Sequence, residues 1–171
     1  MFRSFSQLKS PSLTIIRSRW FTPDYEITDG TYTYARLTYK GFLWQSAVAE
    51  TSEAVWTLRF EGFFPRKVVV CNKEDKKVAS IELGWLSNRS ALTLNGGKQL
   101  FFVRESLWNS SFSWEDLKRG KIMTINGQHF SRKVASLEIH DKVVANPLIP
   151  LLSLLALHLV LVKRRKHLAA A

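Results

Sequence analysis

Asn146-Pro147-Leu148-Ile149-Pro150-Leu151-Leu152-Ser153-Leu154-Leu155-Ala156-Leu157-His158-Leu159-Val160-Leu161-Val162-Lys163-Arg164-Arg165-Lys166 is the stretch on which the fold turns. Asn146 is a good N-cap, and Pro147 suits the first position of a helix. Pro150 still falls within the first turn. Lys163, Arg164, Arg165 and Lys166 complement the negative end of the helix dipole. The sequence therefore predicts a helix over 147–166 with a basic end, followed by 167–171 as a tail without structure. From Leu148 to Val162 only His158 carries a long polar side chain. A helix apolar all round is buried, either in protein or in lipid. Fifteen residues at ~1.5 Å each give about 22 Å, short of the ~30 Å hydrocarbon layer of a bilayer. Ser153 and His158 would also lie inside that layer. Eight leucines and the trailing cations speak for the alternative, a single span at about 148–162 with a basic cytoplasmic flank. Length favours protein.

Upstream of the helix the chain reads as β-structure. Ala54 to Phe60 alternates, as a half-buried strand does. Lys67 to Cys71 and Val78 to Leu83 flank the charged turn Asn72 to Lys77. Ala91 to Leu94 and Gln99 to Val103 flank Asn95-Gly96-Gly97, a strong hairpin signal because Asn and Gly tolerate positive φ. Residues 12–21 and 31–39 read as strands, Lys121 to Ile125 as another ending at an Asn126-Gly127 turn, and Val134 to Ile139 as the last. Ser113 to Arg119 reads as a short helix or a single turn, with Ser113 as its cap ahead of Glu115 and Asp116. Ten to twelve strands at this spacing indicate a sandwich or barrel. A closed sheet of about twelve strands is too wide for its own side chains to fill, and an apolar helix can occupy the middle. The expected fold is thus mainly β: one domain over 1–171, an antiparallel barrel of about twelve strands around a hydrophobic C-terminal helix.

This arrangement resembles the tubby C-terminal-like superfamily, in particular its small LURP-one-related and phospholipid-scramblase-like members. The resemblance rests on the strand series from Leu13 to Ile139 and on the Asn146-Pro147-Leu148-Ile149-Pro150-Leu151-Leu152 start of the helix. Ile27-Thr28-Asp29-Gly30, Trp56-Thr57-Leu58 and Glu61-Gly62-Phe63-Phe64 look like elements of small bacterial members. The likeness is architectural: no tubby signature motif is present, and the chain is much shorter than a tubby domain. It implies the barrel with its central helix. Phosphoinositide binding follows only as a class expectation, with no binding residues to carry over.

The 171 residues include 25 Lys and Arg against 14 Asp and Glu, a net charge of +11. That excess suits an anionic partner or plain solubility. The lone Cys71 excludes an intrachain disulfide and reads as a small buried hydrophobe. The four histidines lack zinc-site spacing, and neither a phosphate loop nor a nucleophile elbow is present. Neither enzymatic activity nor a cofactor is expected. His158 reads as a satisfied buried histidine, while His129 and His140 read as surface. The first 21 residues, basic and free of acids, have the composition of a transit peptide, although Pro11 interrupts any long amphipathic helix there.

Two basic features carry the functional expectation. Phe63-Phe64-Pro65-Arg66-Lys67 has the composition of a shallow membrane-docking tip, unless its phenylalanines fold back into the core. Lys163, Arg164, Arg165 and Lys166 form the second, unless they serve the helix dipole alone. The reading is a non-enzymatic binding or scaffold domain, cytoplasmic and associated peripherally with anionic phospholipid. Its alternative is the single-pass protein described above. No specific nucleic acid is expected, although Lys118, Arg119, Lys121, Arg132 and Lys133 would be the cations of such a patch.

Overall fold

The structure is a computed structural model of the chain. It describes residues 1–170 apart from 20, 42–45, 63–65, 85–87, 107–109, 129–131 and 141–145, and apart from the side chains of 66 and 166–170. Twelve strands follow one another: β1 (Ser12–Arg17), β2 (Asp24–Thr28), β3 (Thr33–Lys40), β4 (Ser46–Thr51), β5 (Val55–Glu61), β6 (Arg66–Asn72), β7 (Lys77–Leu83), β8 (Arg89–Leu94), β9 (Gln99–Arg104), β10 (Ser111–Asp116), β11 (Gly120–Gly127) and β12 (Lys133–Ile139). Each pairs antiparallel with its neighbours in sequence, and β1 pairs with β12 to close the barrel. Closure removes the exposed edges that an open meander would carry. A 3-10 turn, Phe5–Gln7, precedes the barrel, and one helix, α1 (Ile149–Ala170), ends it.

Alternation along each strand sends one set of side chains inward. Leu13 and Ile15 of β1, Ile27 of β2 and Leu37 of β3 are fully buried. They meet Leu152, Leu154, Leu155, Leu157 and Leu159 of α1, which are equally buried. The apolar circumference read from the sequence is therefore that of a helix packed against the barrel strands. The single-span alternative is corrected here: no described helix is long and apolar enough to cross a membrane. Ser153 is tolerated because its hydroxyl donates to the Ile149 carbonyl at 2.8 Å, one turn back. The Trp114 indole donates to the Leu152 carbonyl at 2.9 Å, fastening α1 to β10. At its start, the Asn146 side chain accepts from the Leu148 amide at 3.0 Å, in the capping role expected.

Several local expectations are corrected. Ser113 to Arg119 is no helix; residues 111–116 form β10, paired with β9 and β11. The acids that resemble a first helical turn serve other ends, for Asp116 binds Lys98 at 2.9 Å and accepts from the Lys118 amide. Asn126 and Gly127 are not a turn but the last residues of β11, since the pairing with β12 runs through both. A strand over 12–21 stops at Arg17. That strand closes the barrel, so a transit peptide extending to residue 21 would take a wall of the barrel with it. Helix α1 continues to Ala170 rather than ending at residue 166, since Leu168, Ala169 and Ala170 are good helix formers and 167–170 hold no breaker. The Asn95-Gly96-Gly97 hairpin is as expected, with φ of +99° and +82° at the two glycines.

Candidate functional site

The strand directions define two ends. The 3-10 turn and the start of α1 lie at one, where Phe5 packs against Tyr34 with ring centroids 5.6 Å apart. The other is the mouth reached by the C-terminal part of α1, where the Arg164 guanidinium donates to the carbonyls of Gln128 and Val134, both at 2.9 Å. This bond fastens the helix to the rim between β11 and β12. It also explains Gly127, where a Cβ would stand 2.5 Å from the guanidinium and 2.9 Å from the Ser110 Cβ.

A polar column runs from the barrel interior to this mouth. His158 on α1 is fully buried, stacked at 5.6 Å on the ring of Tyr39, with Phe60 at 5.4 Å. Its Nδ1 shares a hydrogen bond with the Tyr39 hydroxyl at 2.8 Å. Its Nε2 is buried and has no hydrogen-bond partner among the described residues, so the satisfied histidine expected from sequence is satisfied on one side only. Burial lowers its pKa from 6.5 to about 3. Tyr39 is edge-on to Tyr25 at 6.2 Å, and burial raises the pKa of both hydroxyls. The rise at Tyr25 is opposed by the charges of Arg17, Arg164 and Arg165. Arg17 lies opposite Tyr25 in the β1–β2 register and continues the inward face of Leu13 and Ile15. The Nε atoms of Arg17 and Arg164 are buried and unbonded among the described residues.

The described residues singled out in the sequence for lipid contact stand at one end of the barrel, on different elements. Lys163, Arg164 and Arg165 stand at this mouth: Lys163 over the Phe112 ring at 5.2 Å, Arg164 half-buried, Arg165 exposed. Lys67 is near the start of β6 at the same end of the barrel, opposite Glu61 and Glu82 in the register. Phe63 and Phe64, and the side chains of Arg66 and Lys166, lie outside the described residues, as does His129. His140 is exposed and bonded to the Thr124 hydroxyl at 2.8 Å. Cys71 is buried, with an Arg59 guanidinium nitrogen 3.2 Å from its sulfur. The five cations weighed for nucleic acid divide between the ends: Lys118, Arg119 and Lys121 flank the β10–β11 turn, Arg132 and Lys133 the helix mouth. Sequence reasoning missed Arg17, Tyr25 and Tyr39. The step of two from Leu13 and Ile15 to Arg17 was the signal that could have found the first.

Chemically the mouth is a collar of guanidinium groups beside buried phenols. Such groups bind oxyanions by charge-assisted hydrogen bonds. The molecule is thus a closed twelve-stranded antiparallel barrel with one C-terminal helix packed against its strands and a basic, tyrosine-lined mouth. The chain matches no family model, no curated protein and no solved structure.

Proposed function

We propose that this barrel is of the tubby-like kind and is a non-enzymatic binding or scaffold domain that associates peripherally with anionic phospholipid. The observation that supports it is the gathering of Arg17, Arg164 and Arg165 around Tyr25 at one mouth. The apolar helix is engaged with the barrel strands, so attachment to a membrane falls to the surface. Each Lys or Arg near an anionic leaflet contributes about 1 kcal/mol, and screening acts within ~8 Å at physiological salt.

Co-sedimentation with phosphatidylcholine vesicles, with and without phosphatidylserine, tests this. Binding is expected only with the anionic lipid and falls steeply with salt. Arg19→Glu with Arg165→Glu should weaken it at least about tenfold, whereas reversal of Lys73 and Lys76 at the opposite end should change it little. Circular dichroism verifies the fold of each variant. Equal binding to neutral vesicles, or none at low salt, refutes the proposal.

A further inference from the structure

Several cations of the barrel have their charge answered by a carboxylate. Arg36 bonds Glu26 at 2.7 Å, Lys98 bonds Asp116 at 2.9 Å and Lys121 bonds Glu105 at 2.8 Å. Arg17 and Arg164 differ. Both are half-buried, and neither has a carboxylate within ion-pair distance among the described residues. The Nε of each is buried and makes no hydrogen bond there. Asp24, next to Tyr25 in sequence, is engaged by Arg19 at 3.7 Å and by the Thr38 hydroxyl at 2.6 Å. Withdrawing a guanidinium from water without a counter-charge is costly, and burial pulls the pKa of Arg164 below its ordinary value.

The two groups converge. Ile15 of β1 stands opposite Ile27 of β2, both fully buried. Two residues further on, Arg17 stands opposite Tyr25 and shares that inward face, so its side chain enters the mouth. The Arg17 amide donates to the Arg132 carbonyl at 3.0 Å. Arg164 reaches the neighbouring residues from the helix, its Nη2 donating to the carbonyls of Val134 and Gln128. Residues 132 and 134 are about 7 Å apart along a strand. The charges of both arginines also reach the Tyr25 hydroxyl. The two rim carbonyls hold the Arg164 guanidinium in place before any ligand arrives.

Two held positive charges on different elements suit a small dianion. A phosphate monoester carries about −1.5 to −2 at pH 7 and offers three acceptor oxygens, so it can accept from both guanidinium groups. A carboxylate or a phosphodiester carries a single charge. A terminal phosphate is tethered by one bond and can enter the mouth, whereas a diester is tethered on both sides. We infer that Arg17 and Arg164 form a binding site for a terminal phosphate group, borne by a lipid headgroup or by a soluble phosphate ester, with Arg165 at its rim. This rests on the anionic-surface reading above and adds a discrete site to its diffuse charge.

Two arms distinguish the sources. Glycerol 3-phosphate is titrated into the full chain by calorimetry. Co-sedimentation uses phosphatidylcholine vesicles with either phosphatidic acid, a phosphate monoester, or phosphatidylserine, a diester, at matched surface charge. Arg17→Lys keeps the charge but loses the planar fork. It should weaken phosphate binding by about tenfold or more, as the loss of one charge-assisted hydrogen bond does, and leave binding to phosphatidylserine unchanged. A preference for phosphatidic acid that Arg17→Lys abolishes supports the site with a lipid source. Saturable binding of glycerol 3-phosphate, abolished likewise and without that preference, supports it with a soluble source. Phenylglyoxal labelling of the native chain, read by mass spectrometry, does not depend on a variant folding: either probe should protect Arg17 and Arg164 and leave Arg119, exposed at the far end, labelled. Phosphate binding that persists in Arg17→Lys, or that protects neither arginine, overturns the assignment. Equal binding to the two vesicle types with none of glycerol 3-phosphate overturns the site and leaves the anionic-surface reading standing. Binding of glycerol 3-phosphate without vesicle association overturns that reading and leaves the site. Absence of all binding overturns both.

Discussion

His158 makes the stability of this protein depend on pH in a calculable way. The imidazole is fully buried between Tyr39 and Phe60, and burial lowers its pKa from 6.5 to about 3. In the unfolded chain it takes up a proton as pH falls below 6.5; in the barrel it stays neutral. The unfolded state then binds the extra proton, so stability is complete above 6.5 and falls with pH down to about 3. At about pH 5 the deficit covers some 1.5 units at about 1.4 kcal/mol each, roughly 2 kcal/mol. That is a large fraction of an ordinary domain's ~5–15 kcal/mol. Asp29, Glu105 and Asp116 have pKa values held below the usual carboxylate range, by a backbone amide donor, by Lys121 and by Lys98 respectively. Their contributions fade only at lower pH. Urea unfolding of the native chain from about pH 8 to about pH 5 should therefore show the loss. A variant with His158→Leu and Tyr39→Phe removes both partners of the 2.8 Å bond and should lose most of that slope. An equal slope in native and variant proteins, or none in the native chain, would refute the burial argument.

Leu155→Asp places a carboxylate at a fully buried position inside the apolar cluster, and should cost several kcal/mol. An unchanged urea midpoint would show that the helix does not fill the barrel. Gly127→Ala puts a methyl group against the Arg164 guanidinium and Ser110, so about 1–3 kcal/mol of destabilisation is expected in thermal melts. A melting temperature equal to the native one would mean that Arg164 is not fixed to the rim.

Elements with strong local chemistry were legible in the sequence. The helix could be read because its apolar circumference, its cap and its basic end agree. The Asn95-Gly96-Gly97 hairpin could be read because its backbone demands those residues. β2 and β4 were less visible, since Asp24, Glu26, Ser46 and Glu50 make them look polar. Their partners lie across the sheet: Arg36 stands opposite both Glu26 and Glu50, and bonds Glu26 at 2.7 Å. Ser113 to Asp116 imitates a capped helix start, and only pairing on both sides makes it a strand. The mouth was half legible. Lys163 to Lys166 announces itself as a charge run, whereas Arg17, Tyr25 and Tyr39 meet only through strand register and the depth of His158 in the barrel.

The account assigns the apolar helix to the barrel and leaves membrane contact to the basic mouth. Hydrogen exchange followed by mass spectrometry, on the free chain and on the chain bound to phosphatidylserine vesicles, tests both halves at once. Amides of 151–161 should be among the slowest in the free protein and equally slow on vesicles, with new protection confined to the connections and helix end at the mouth. Rapid exchange of those helix amides in the free chain, or strands losing protection on vesicles as the helix leaves for the bilayer, would contradict it.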